Sequence, residues 1–452
     1  MLSDSTYTMD RMKNTKGGTQ MRTKWKQRMA IGLLIAALPI SLTAGTLSFR
    51  CGEVRAAQAA RVETGDYGYL IWPQNLNAVR NEVEIFAEIP KDLRDDAPAS
   101  TAVYRNTQVY TGSLMLDMTK LPSEKPLFYR VRAYDLDGHP VTHFSQPADV
   151  TSALTRSRRN APVPHNPYGK GNGSVLLYPV YAYTGNPGAT RYEVEVTSKY
   201  PENLHGFSPS VHRIYANTTE LTDLYDDAPR TGTYYWRVRG MDSTGKPVGE
   251  WSLPQEIKNP VKHWKVAVYG DSISHGGGHL SFGPADLAYS YESYLDFPSI
   301  NLSQSGDTSE AMVMRFEKDV LPFSPDYLLI LGGTNSLRAG VPAADVISDL
   351  KEIQRKCREH GITPILMTLP PINPENIQKA FDEPTYEGWK DSFAVVNAFI
   401  RGEVHIDTAA PFEEMEELPT WLALDGIHGD WNMKRMMAEV INREFPVLEN
   451  RD

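Results

Sequence analysis

An internal repeat of strand-like segments between residues 62 and 258 limits the fold more than any other feature of this chain. Tyr129-Arg-Val-Arg-Ala-Tyr-Asp135 aligns without gaps with Trp236-Arg-Val-Arg-Gly-Met-Asp242. The alignment continues through Gly138 and Gly245, Pro140 and Pro247, Val141 and Val248, then Ser145 and Ser252. Upstream, Trp72-Pro73 recurs as Tyr178-Pro179, and Val83-Glu84 as Val194-Glu195. Tyr129, Val131 and Ala133 point one way along such a strand and Arg130 and Arg132 the other, which is the period of a half-buried strand. Several such strands in a unit of roughly a hundred residues, without a cysteine pair, predict a β-sandwich. Residues 155–173, rich in Arg, Pro, Gly and Asn, read as a linker. The expected organisation is one β-sandwich over 61–154, a linker over 155–173, and a second sandwich over 174–260 whose start can lie as early as 160.

The pattern changes after Pro260. Lys265-Val-Ala-Val-Tyr269, Tyr327–Leu331, residues 362–369 and the weaker 404–407 are short apolar runs. Helical periodicity fills 309–320, 343–360, 387–400 and 432–445 between and after them. Strands alternating with helices predict a parallel sheet covered on both faces, with 261–452 as one α/β domain. In open sheets of this kind, reactive groups gather at the carboxyl ends of the strands.

Composition excludes little beyond nucleic acid. The net charge of −10 lacks the basic face that phosphate binding needs. Arg22, Lys24, Lys26 and Arg28 precede an apolar run over about 29–49, and Ala57-Gln58-Ala59 offers small residues for cleavage. Residues 1–60 are therefore expected to be a signal peptide or a retained signal anchor, and the rest of the chain exported: secreted, periplasmic or at the cell surface. The two cysteines, Cys51 and Cys357, provide no disulfide framework once Cys51 is removed. Cys357 lies in a helical pattern and reads as a small buried hydrophobe.

Four loops carry candidate chemistry. Gly270-Asp271-Ser272-Ile273-Ser274 follows the first strand and exposes a serine at the sheet edge; an Asp or Ser helix cap is the alternative reading. Asn301-Leu-Ser-Gln-Ser-Gly306-Asp307-Thr308-Ser309 precedes a helix, and Gly306 can bring a backbone N–H near a substrate. Gly332-Gly333-Thr334-Asn335 follows the second strand; the Asn335 amide suits an oxyanion hole, although Gly and Asn also make turns. Asp425-Gly-Ile-His428 lets a carboxylate reach the imidazole three residues on, keeping one ring nitrogen protonated and the other free to take a serine proton.

In this order, Ser, Gly, Asn and Asp-x-x-His together resemble the SGNH/GDSL hydrolase family over residues 262–446. The resemblance implies Ser272 as nucleophile, His428 as general base and Asp425 as its orienting partner. It implies an oxyanion hole from the backbone N–H groups of Ser272 and Gly306 with the Asn335 side chain. It also implies a three-layer α/β/α sandwich, and neither cofactor nor metal. Ser336 stands where the family often has Asp, and Gly429-Asp430 where an apolar or Pro-Asn pair is usual. The Gly-x-Ser-x-Gly signature of the α/β-hydrolases is absent around Ser272. Both repeat units are similar to fibronectin type III domains in the aromatic-Arg-Val-Arg strand, the Asp-x-x-Gly turn and the later Phe144-Ser or Trp251-Ser.

The whole chain then reads as two fibronectin type III-like modules followed by an exported serine esterase. An acetylated carbohydrate is the preferred substrate, on association with the modules rather than on chemistry. A lipase, lysophospholipase-like or aryl esterase, a glycan O-acyltransferase, and a non-catalytic adhesion protein stand as alternatives. His275 and His279 invite a metal reading, but Gly276-Gly277-Gly278 breaks any rigid helical pair and nothing completes a ligand set. Trp431, beside the His428 loop, is placed either at a sugar or acyl site or under the last helix.

Overall fold

A computed structural model describes residues 65–449 apart from 76, 92–96, 166–175, 205 and 278–285. The N-terminal basic and apolar segments, Cys51 and His279 lie outside the described residues. No helix among the described residues is long and apolar enough to cross a membrane.

The repeat folds as two antiparallel β-sandwiches. In the first, Tyr67–Ile71 pairs with Ser113–Asp117 and Thr155–Ser157, and this sheet packs on another of order Ala102–Val109, Arg80–Phe86, Phe128–Tyr134 and Ala148–Asp149. Leu70, Trp72, Val83, Ile85 and Leu116 share its core. In the second, Val163–Pro164, Val180–Thr184 and Asp223–Tyr225 form the small sheet, facing Arg191–Thr197, Arg213–Thr219 and Gly232–Met241. Tyr181, Tyr183, Val194, Trp236 and Ile257 fill the space between. The two Asp-x-x-Gly turns are alike, with Gly138 and Gly245 both at φ +82°. Part of the expected linker is strand: Thr155–Ser157 completes the first sandwich and Val163–Pro164 begins the second.

The aromatic-Arg-Val-Arg strands are covered on both faces, not half-buried. Arg130 and Arg132 are 1% and 7% exposed, and Arg237 and Arg239 are 0% and 9%. Each guanidinium meets a carboxylate from the neighbouring strand: Arg130 with Glu84, Arg132 with Glu82, Arg237 with Glu195 and Arg239 with Glu193. Phe144 in the first unit and Trp251 in the second lie over these arginines at 3.8–4.5 Å to the ring centroid. Pairing and ring stacking are what permit such burial, since an uncompensated buried charge would unfold the strand.

The C-terminal region is a five-stranded parallel sheet between helices. Its strands are β1 (Val266–Gly270), β2 (Ile300–Asn301), β3 (Tyr327–Leu331), β4 (Thr363–Met367) and β5 (His405–Ile406), in the order β2-β1-β3-β4-β5. β1 is buried throughout, as a strand covered on both faces must be. The helices are α1 (Ser272–His275), α2 (Ser309–Asp319), α3 (Thr334–Arg338), α4 (Ala343–Glu359), α5 (Pro374–Phe381), α6 (Trp389–Arg401) and α7 (Trp431–Glu449). α4 buries Val346, Leu350, Ile353 and Cys357, the one-sided spacing of a helix laid on a sheet. Burial pushes the Cys357 thiol up to about 12, so it is an inert packing group. α5 begins at an Asn373 cap with Pro374 at its first position.

Candidate active site

The four loops lie together, at the carboxyl ends of β1, β2 and β3 and at the start of α7. β1 ends at Gly270, where a side chain would sit 2.2 Å from the Leu331 carbonyl of the neighbouring strand. Asp271 then caps α1, its Oδ1 accepting from the Ile273 N–H at 2.9 Å. Its Oδ2 is buried without a hydrogen-bond partner, and burial pushes the carboxyl up to about 6. Ser272 is the first residue of α1. Ser272 is buried, at 7% exposure, and not exposed at the sheet edge as its place after the strand suggests, and the helix cap and the serine are neighbouring residues of one turn, not rival readings.

Ser272 Oγ is 2.7 Å from His428 Nε2, and His428 Nδ1 is 2.8 Å from Asp425 Oδ2. Asp425 is 2% exposed, and its Oδ1 accepts from the backbone N–H groups of Ile427 and His428 at 3.0 and 2.8 Å. A carboxylate only accepts, so Nδ1 carries the proton and Nε2 presents its lone pair to the serine hydroxyl. Gly426 allows the turn: it has φ +83°, and a Cβ there would lie 2.3 Å from the Asn373 carbonyl. Phe381, at the end of α5, sets its ring edge-on to the imidazole at 6.1 Å.

Gly306 is exposed with φ +90°, a conformation glycine adopts without strain. The next residue, Asp307, offers its carbonyl to Asn335 Nδ2 at 2.9 Å. Arg338 Nε donates to Asn335 Oδ1 at 3.2 Å and pairs with Glu383 at 3.0 Å, which fixes the amide with its NH2 toward Asp307. Arg315, within α2, donates to the Gly270 and Leu302 carbonyls and to the carboxylates of Asp307 and Asp319. Burial pushes the Asp307 carboxyl up to about 6 against the pull of Arg315.

The departures from the motif have local partners. Ser336 Oγ accepts from the Ser309 N–H at 3.0 Å, at the start of α2. Asp430 caps α7 through the Asn432 and Met433 N–H groups. Trp431 stacks on Tyr289, with centroids 6.4 Å apart and planes 27° apart. His275 does not face a metal set: it bonds the Tyr178 carbonyl and the Ser305 hydroxyl. Among the described residues, Asp135, Asp137 and His139 bring ligand atoms within 4.8 Å of one another, on a turn of the first sandwich where Asp137 already pairs with Lys379. Lys434 of α7 is buried and donates to the Ile273 carbonyl at 2.7 Å; like Arg315 and Arg338 it is not legible in the sequence, because a charged residue in an amphipathic helix reads as solvent face.

Residues 268–430 match the GDSL-like Lipase/Acylhydrolase family. The chain is similar to thioesterase 1/protease 1/lysophospholipase L1 of Escherichia coli K12, 26% identical over 190 residues, covering 41% of this chain and 86% of that protein. It is similar to the uncharacterized lipoprotein YqeF of Bacillus subtilis, 32% identical over 21% of this chain and 48% of that protein. Similar solved structures include a lipase/acylhydrolase from Enterococcus faecalis (22% identity, 41% of this chain, 96% of that one, TM-score 0.33). An acetylxylan esterase from Geobacillus stearothermophilus is another (22% identity, 40% and 93%, TM-score 0.31). The C-terminal region is a GDSL/SGNH hydrolase domain, and the chain is an enzyme acting on carboxylic ester bonds.

Proposed function

We propose that Ser272 is the nucleophile of this domain, His428 its general base and Asp425 the group that orients the base. The backbone N–H groups of Ser272 and Gly306, with the Asn335 amide, form the oxyanion hole. The observation that carries this reading is the continuous chain Ser272 Oγ–His428–Asp425 at 2.7 and 2.8 Å. Ser272 Oγ attacks the ester carbonyl while Nε2 takes its proton, and the carbonyl oxygen becomes the anion held in the hole. The tetrahedral adduct expels the alcohol, protonated by His428. Water, deprotonated by the same imidazole, then releases the acid and restores Ser272.

The substrate we infer is a short acyl ester of a carbohydrate outside the cytoplasm, an O-acetylated polysaccharide. Among the described residues, small or polar groups adjoin the reacting ones, with Gly277 against His428, Ser305 beside Gly306 and the Arg338–Glu383 pair at Asn335, and Phe381 supplies one ring edge at the imidazole. The two sandwiches, which we read as fibronectin type III-like, enclose between them an open cleft of about 610 Å³. Tyr104, Tyr110, Asn106, Gln108, Arg191 and Glu220 line it, a mixture of aromatic and polar side chains of the kind that suits a sugar. A long-chain acyl or thioester substrate is the second reading, favoured by the 26% identity to the lysophospholipase and thioesterase relative.

The purified protein should hydrolyse p-nitrophenyl acetate, and Ser272→Ala should slow it by about 10⁴- to 10⁶-fold. Equal rates in both proteins would sink the nucleophile assignment. Rates that fall from acetyl to decanoyl esters support the short-acyl substrate, and rates that rise favour the second reading. Acetate release from an acetylated glycan, with and without a free sugar acceptor, separates hydrolysis from acyl transfer.

A further inference from the structure

We propose that the second sandwich is a working part of the active site, because Tyr178 positions the Gly306 loop through His275 and Ser305. His275 is the last residue of the short helix that Ser272 begins, and it is 1% exposed. Its Nε2 lies 2.7 Å from the Tyr178 carbonyl and its Nδ1 lies 2.8 Å from Ser305 Oγ. A carbonyl only accepts, so Nε2 carries the hydrogen. Burial holds the imidazole down to about 4, so near pH 7 it is neutral and Nδ1 is an acceptor. Ser305 must therefore donate to Nδ1, which ties its hydroxyl in one direction and holds the residue preceding Gly306.

Tyr178 reaches the same loop by a second route. Its hydroxyl donates to Asp319 at 2.7 Å. Arg315 joins Asp319 to Asp307, whose carbonyl accepts from Asn335. The tyrosine is itself fixed to the hydrolase sheet, since Leu176 bridges Asn301 of the edge strand and the Leu177 N–H donates to the Asn301 carbonyl at 3.0 Å. On the other side, the Asp226 N–H donates to the Pro179 carbonyl and the Arg230 N–H to that of Leu177. Residues 176–179 are thus held by both the sandwich and the hydrolase sheet, and both routes from Tyr178 end at the donors assigned to the oxyanion. His275, Ser305 and Tyr178 are positioning residues: they act on the assigned donors through one another and through the chain next to Gly306, and none touches the reacting oxygen.

The proposal rests on the oxyanion-hole assignment above, and its test separates the two. In the full chain, Ser305→Ala removes the donor to Nδ1 at a partly exposed position. It should lower kcat for p-nitrophenyl acetate by roughly 10- to 100-fold, the scale of a small misplacement, with little change in KM or melting temperature. Binding of phenylboronic acid, whose tetrahedral adduct on Ser272 places an oxygen in the hole, should weaken by a similar factor. His275→Gln keeps a donor directed at Tyr178 and loses the acceptor for Ser305, so it should match Ser305→Ala, and the double variant should be no slower than either. An unchanged kcat in Ser305→Ala, or losses that multiply in the double variant, would overturn the positioning role. If Ser272→Ala retains full activity, the failure belongs to the catalytic assignment instead.

Discussion

Lys434 Nζ donates to the Ile273 carbonyl at 2.7 Å from a site with no solvent exposure, one residue beyond the serine. Burial holds the amine down to about 7, against the pull of the Asp271, Asp425 and Asp430 carboxylates. The unfolded chain keeps a proton on this lysine up to about pH 10.4. Between about pH 7 and 10 the unfolded state therefore binds a proton that the native state does not. Stability should rise with pH across that window, by at most about 1.4 kcal/mol per pH unit, and below about pH 7 the native state carries the burial penalty in full. Lys434→Met should flatten that slope. Urea unfolding at pH 7.5 and 9.5 measures it, and an identical slope in both proteins would refute the assignment. The Asp425–His428 contact was legible in the sequence from its three-residue spacing, whereas Ser272 was legible only as a serine after a strand and drew its role from the family resemblance. Lys434 and Arg315 were not, because nothing in a helical stretch of mixed charge tells which cation turns inward.

Short elements decide how closely Ser272 and His428 approach. Gly277 follows α1 without needing a left-handed backbone, but a Cβ there would lie 2.8 Å from His428 Cδ2 and 3.2 Å from the Ser272 carbonyl. Gly277→Ala must displace the imidazole or the turn by a few tenths of an ångström. The expected result is a loss of roughly 10-fold or more in kcat with the melting temperature nearly unchanged. A variant with wild-type kcat would show that the imidazole has room to shift. The long helices were legible from periodicity, since each repeats its buried positions over several turns, and β1, β3 and β4 from short unbroken apolar runs. β2 was not: it is two residues, Ile300–Asn301, and too short for any period. α5 has a readable start in Asn373-Pro374, a cap followed by a proline, but its eight residues are too few to show a helical period. The repeat alignment also equated Tyr178 with Trp72, yet Trp72 packs inside its own sandwich and Tyr178 inside the hydrolase core. Equivalent sequence positions diverge where one unit meets a further domain, and that neighbour is not written in the repeat.

The largest hydrophobic core ignores the boundaries that composition suggests. Val79 from the first sandwich, together with Leu177 and Tyr178 at the second, is buried in the same cluster as the hydrolase sheet, and Leu136 packs against it. Ion pairs such as Lys379–Asp137 add little across an exposed seam. The shared apolar core and the backbone hydrogen bonds at residues 176–179 instead make the second sandwich and the hydrolase a candidate for one cooperative unit. Trp236 tests this from within the sandwich: it is 1% exposed and packs on Tyr181 at 5.1 Å between centroids. Trp236→Ala should destabilise that core by about 3–5 kcal/mol. If the modules were independent beads, thermal inactivation of the esterase would keep its wild-type midpoint while the sandwich melted early. Coupling through Leu177 and Tyr178 predicts that the inactivation midpoint falls together with the sandwich transition, because unfolding the strands that hold residues 176–179 removes buried side chains from beneath the Ser272 turn.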